Sequence, residues 1–207
     1  MPDLAFPVSI QTMVIRNQGT TIYYPQVFNL PNPNVQQMIN QTIYRTVQTL
    51  IQQQSQQQGA ESFTEMLGTY ELKTNERNVL SLTLSNYAYA YQHAHGLTLM
   101  KSLTFDVRTG KLYSLKELFK PGSDYVKVLS AIVKKQIKDR QIQTLDNFTA
   151  IRPDQDYYIA DKCLVLYFQL YEITPYYVGF PMFPISVYEI QDIIAENGLL
   201  SRMAVND

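Results

Sequence analysis

The 207-residue chain is long enough for one domain with a substantial core, and 45% of its residues are hydrophobic. Charged residues make up only 17%, the net charge is −1 and there is no basic block, which argues against a nucleic-acid partner. The single cysteine, Cys163, excludes an internal disulfide, and no stretch approaches the ~18 apolar residues of a membrane helix, so no membrane insertion is expected.

The opening Met1-Pro2-Asp3-Leu4-Ala5-Phe6-Pro7 has neither a basic n-region nor an apolar h-region. No signal peptide is expected, and the chain reads as either cytoplasmic or part of a longer exported protein. Val8 to Ile15 and Ile22 to Val27 then read as a strand pair, the second interrupted by Pro25. After Asn32-Pro33, Val35, Met38, Ile39, Ile43, Val47, Leu50 and Ile51 recur at three- and four-residue steps. That stripe predicts an amphipathic helix with Asn32 as N-cap and Pro33 in the first turn. The tract Gln52 to Gly59 offers little to bury and is expected to be a polar last turn and loop.

Tyr70 to Lys73 and Val79 to Ser85 are expected to form a hairpin across Thr74 to Asn78. Leu80, Leu82 and Leu84 alternate with Ser81, Thr83 and Ser85, which predicts one buried and one wet face. The large residues then become odd-numbered at Tyr87, Tyr89 and Tyr91, so a bulge or bend is expected near Asn86. Leu97 to Phe105 reads as a strand ending in a turn at Thr109-Gly110-Lys111. Ser114 and Glu117 have capping-box spacing and open a short helix that stops at Pro121-Gly122. A longer helix from about Asp124 carries Tyr125, Leu129, Ile132, Val133, Gln136 and Ile137 on one face. Tyr157 to Ile159 and Cys163 to Tyr171 suggest a hairpin over Asp161-Lys162, with Cys163 buried. A second capping box, Ser186 to Glu189, is expected to open a last helix closed by Gly198. The order predicts an α+β fold, a mostly antiparallel sheet packed against helices. One domain over residues 1–207 is expected, with room for two subregions at 1–75 and 76–207.

Few residues point to catalysis. His93 and His95 lie two apart, so on a strand both imidazoles would face one side and could share a metal. A zinc site needs three or four ligands, and no second His or Cys pair exists to complete one. A hydrolase or metal-dependent enzyme centred on His93 and His95 is the alternative reading; the simpler one places them in a turn or at a sheet rim. There is no Gly-x-Ser-x-Gly elbow and no Gly-rich phosphate loop, so neither a nucleophile nor a cofactor is indicated. The most unusual segment is Tyr171 to Ile185, rich in aromatics and prolines around a single charge. It reads either as a structural crossover whose rings plug the sheet or as a tyrosine-rich binding rim.

This segment resembles the hallmark of a bacterial domain family best known from RsiV-type anti-sigma factors. Tyr171, Glu172, Ile173, Pro175, Tyr176, Gly179 and Phe183 match its pattern. So do His95-Gly96, Phe105-Asp106, Thr109-Gly110-Lys111, Leu115, Leu118 and Phe119, and the helix start at Asn32, Pro33, Val35 and Gln36. The matches run in order from about residue 20 to 195. Where the family carries two glycines before Ala-His-Gly, this chain has Gln92 and His93, so a bulkier loop is expected.

The resemblance implies an extracytoplasmic sensor domain that binds lysozyme and gates a sigma factor. A similar domain precedes the catalytic part of the peptidoglycan deacetylase PdaC. For this chain it implies a non-catalytic module contacting a lysozyme-like protein or peptidoglycan. The expected contact residues are His95, Tyr171, Glu172, Pro175, Tyr176, Tyr177, Gly179 and Phe180, with no catalytic residue, metal or cofactor.

Overall fold

A computed structural model describes residues 7–204, and the opening segment Met1 to Phe6 lies outside the described residues. Among the described residues nine strands form a six-stranded and a three-stranded sheet, accompanied by helices. The fold is α+β. The chain divides into two compact units, Met1–Leu112 and Tyr113–Asp207, each with its own sheet.

The first unit holds β1 (Ser9–Asn17), β2 (Thr20–Phe28), α1 (Pro33–Gln58), β3 (Glu65–Glu76), β4 (Val79–Tyr89), β5 (Leu97–Asp106) and β6 (Lys111–Leu112). The strands lie in sequence order and pair antiparallel, except for a short parallel contact between β2 and β3 at Thr20–Ile22. Asn32 caps α1 by accepting from the amides of Asn34 and Val35. The predicted stripe buries Val35, Ile39, Ile43, Val47 and Leu50 against Leu80, Leu82, Leu84, Leu103 and Phe105 of the sheet. Burying such side chains supplies the main driving force for this layer.

Four expectations here need correction. The glutamine tract is helix up to Gln58, closed by Gly59 in the left-handed conformation. It continues because two of its side chains have partners in the sheet. Gln54 is fully buried and donates to the carbonyls of Asn86 and Leu97 at 2.7 and 3.0 Å, and Gln58 donates to that of Ala88 at 3.1 Å. The β3–β4 hairpin turns on two residues, Arg77 and Asn78, both at positive φ, rather than on five. That geometry matches the right-handed strand twist. Finally, β4 pairs with β5 without interruption through Asn86, so no slip occurs there. The even positions face α1 throughout, ending in Asn86 and Ala88, and Tyr87 and Tyr89 simply belong to the other face. The register shift lies instead in β3, between Leu72 and Thr74. Nor is the other face wet along its length: Ser81 and Thr83 are buried, and Ser81 shares a 2.8 Å hydrogen bond with Thr104.

The second unit contains a short 3-10 turn (Leu115–Leu118), α2 (Tyr125–Asp139), β7 (Tyr157–Ala160), β8 (Cys163–Tyr167), β9 (Met182–Ser186) and α3 (Leu199–Met203). The strands order as β7-β8-β9, all antiparallel. The Glu117 carboxylate accepts from both the amide and the hydroxyl of Ser114. Asp124 caps α2, whose Tyr125, Leu129 and Val133 are buried as the periodicity predicts.

The helix expected from Ser186 is absent: Ser186 ends β9, residues 187–193 are successive turns, and Ile194 bridges to Phe119. Gly198 does not close a helix but precedes α3. β8 stops at Tyr167 rather than Tyr171: the Phe168 amide still donates to the carbonyl of Pro181, but Pro181 has no amide to return a bond and the ladder ends there. Cys163 begins β8 and is half-buried rather than buried. Among the described residues, no helix is long and apolar enough to cross a membrane.

Candidate functional site

Residues 168–181 form the loop between β8 and β9, and they hold seven of the eight expected contact residues. Its entry is fixed by charge. The carboxylate of Glu172 accepts from the amide of Gln169 at 2.7 Å and pairs with the guanidinium of Arg152. Arg152 also lies 3.5 Å from Asp154 and 3.9 Å from Asp156. Glu172 is thus engaged within the unit, and its role is to set the loop's departure from β8. An ion pair with several hydrogen bonds around it orders a loop more effectively than an isolated surface pair does.

The middle of the loop is held from below. The carbonyl of Ile173 accepts from the amide of Leu145 at 2.9 Å, and Thr174 is fully buried. Pro175 starts a single 3-10 turn over Tyr176–Val178, with its carbonyl accepting from Val178 at 3.0 Å. Gly179 ends that turn at φ +76°, a conformation that glycine adopts without steric cost. Phe180 is half-buried, not exposed as expected for a rim residue.

The tyrosines behave differently. Tyr171 itself has φ +64° and remains 51% exposed, with its ring 5.4 Å from that of half-buried Tyr176. Tyr177 is 74% exposed, and its hydroxyl donates to Gln143 at 2.6 Å. Two accessible aromatic rings therefore project from a backbone anchored at both ends. Leu145, 52% exposed, belongs to the segment that supports the loop. Arg152, Gln143 and Leu145 had no signal in the sequence: they come from the irregular stretch after α2, with neither periodicity nor motif to mark them.

His95 belongs to the first unit, in the β4–β5 loop. His93 and His95 are both exposed, and Nδ1 of His95 lies 2.9 Å from the carbonyl of Gly96. Among the described residues no three His, Cys, Asp or Glu side chains gather as a metal site would require. Gln92, standing where the family carries glycine, has φ +67°.

Residues 17–98 match a family model described as Deacetylase PdaC, and residues 116–188 match one described as Protein of unknown function (DUF3298). The two matches fall one in each compact unit. Among characterised proteins, the chain is 30% identical over 137 residues to the anti-sigma-V factor RsiV of Bacillus subtilis, covering 60% of this chain and 47% of that protein. It is 24% identical over 140 residues to the peptidoglycan-N-acetylmuramic acid deacetylase PdaC of the same organism, covering 61% and 28%. The chain thus spans about half of the first relative's length and less of the second's. Crystal structures of DUF3298-family proteins share the fold. One from Bacteroides fragilis has a TM-score of 0.71 at 13% identity, covering 97% of this chain and 99% of that one. Another from Pseudomonas aeruginosa has a TM-score of 0.68 at 14% identity, covering 93% and 97%. A segment matching the PdaC model followed by one matching the DUF3298 model, together with the similarity to RsiV and PdaC, supports an RsiV-like or PdaC-like domain.

Proposed function

We propose that the domain is a non-catalytic binding and sensing module that contacts a lysozyme-like protein or peptidoglycan through the Tyr171–Phe180 loop. The observation that carries this reading is the exposure of Tyr177 and Tyr171 on a loop fixed at its base by Arg152 and Leu145. Rigid tyrosines offer large contact area with little entropy to lose, which suits a binding rim. The likeness to an anti-sigma factor supports a sensing role in place of a reaction. Pro175 and Gly179 shape the turn that presents Tyr177, and Tyr176 supports Tyr171. His95 stands as a separate contact on the first unit.

The competing enzyme reading would require His93 and His95 to meet further ligands or a nucleophile. Their exposure in a polar turn offers no such environment. The immobilised domain incubated with lysozyme and, separately, with purified peptidoglycan is expected to retain one of the two. Retention of neither, together with stoichiometric zinc in the purified protein, would transfer support to the enzyme reading.

A further inference from the structure

The parallel pairing of β2 with β3 ends at Ile22 and Gly68, and the two strands separate beyond it. A small cavity lies at this fork, lined by Ile22, Tyr23, Thr69, Val47, Leu50 and Asn86 among others, with about 10 Å³ available to a water-sized sphere. Asn86 is only 2% exposed and sits on the α1-facing row of β4 between Leu84 and Ala88. Its backbone carbonyl is taken by Gln54, but neither its side-chain oxygen nor its side-chain nitrogen has a partner in the protein. A buried amide in that condition is costly, and native interiors resolve it with a partner or an ordered water.

We propose that the β2–β3 fork is a binding site for one internal water molecule, held by the side-chain amide of Asn86. The volume suits a single water and nothing larger. The chemistry selects water as well: an amide presents a donor and an acceptor together, and water answers both. No charged side chain lines the cavity, which disfavours an ion. Tyr23 of β2 and Thr69 of β3 line the fork beside Asn86, one residue beyond the last β2–β3 pair. The water then takes the place of the missing β2–β3 pairing and fixes the point at which the β1–β2 ribbon leaves the sheet.

A crystal structure of the protein at a resolution that places ordered water is expected to show one at the fork, within hydrogen-bonding reach of Asn86. A dry fork with the amide unpaired would overturn the proposal. In solution, water-oxygen magnetic relaxation dispersion counts long-lived internal waters. Asn86→Leu, close in volume and flanked by apolar neighbours, is expected to lower that count by one relative to the parent. An unchanged count in a folded variant would overturn the proposal independently of the crystal.

Discussion

The ring of Tyr87 occupies the space in which any side chain at residue 96 would begin. A β-carbon built on Gly96 would lie 2.3 Å from Cε2 of Tyr87 and 2.5 Å from its hydroxyl oxygen. Tyr87 lies on β4 and Gly96 immediately precedes β5, where Tyr87 pairs with Thr98 and Ala88 with Leu97. The glycine of the His-Gly motif is thereby explained as a packing requirement of the sheet. Gly96→Ala should force the ring aside and cost about 1–3 kcal/mol, as overpacking does. Thermal denaturation checks this, and combining it with Tyr87→Ala should recover part of the loss. An alanine variant as stable as the parent would contradict the packing account.

Gln92, four residues earlier, holds φ +67° in the same loop. A side chain there crowds the following carbonyl, at a cost of about 1 kcal/mol that glycine avoids. Gln92→Gly is therefore expected to leave stability unchanged or raise it by up to about 1 kcal/mol, measured by chemical denaturation. A clear loss of stability would mean that the Gln92 side chain makes a contact that matters more than the strain.

Much of the fold was legible, and the failures share a cause. The α1 stripe and the caps at Asn32 and Asp124 followed from spacing, because each depends on residues within one turn. The helical glutamine tract was not legible, because its stability comes from β4 and β5 carbonyls 32 and 43 residues away. The Ser186 segment failed in the opposite direction. A local capping pattern was overridden when Phe183 and Ile185 were drawn into β9 as buried strand residues. The loop at Tyr171 stood out by composition, whereas its supports Arg152, Gln143 and Leu145 did not.

Gln54 gives that long-range argument a test. Gln54→Ala should remove the donor to the carbonyls of Asn86 and Leu97 and leave them buried, costing about 1–3 kcal/mol. Circular dichroism of the variant should also show fraying of the last turns of α1. Parent-like stability and helicity would mean that the tract is helical for other reasons.

Cys163 provides a pH-dependent readout. Burial, and secondarily the nearby carboxylate of Asp161, push its thiol above the ordinary range. The thiolate is the reactive form, so alkylation of the native protein should be slower than that of the unfolded chain near neutral pH. The native rate should climb at higher pH than the unfolded rate does, because the folded thiol gives up its proton later. Equal rates across the range would contradict a half-buried, desolvated thiol.

The Tyr171–Phe180 loop is the proposed partner-binding surface, and Tyr177 is its most exposed ring. The most direct test measures, on Tyr177→Ala, both the melting temperature and the affinity for whichever of lysozyme or peptidoglycan the domain retains. A binding rim should lose about 1–4 kcal/mol in binding, the hot-spot range, with stability moved by less than about 0.5 kcal/mol. A large drop in melting temperature with unchanged affinity would contradict it and leave the loop a structural plug.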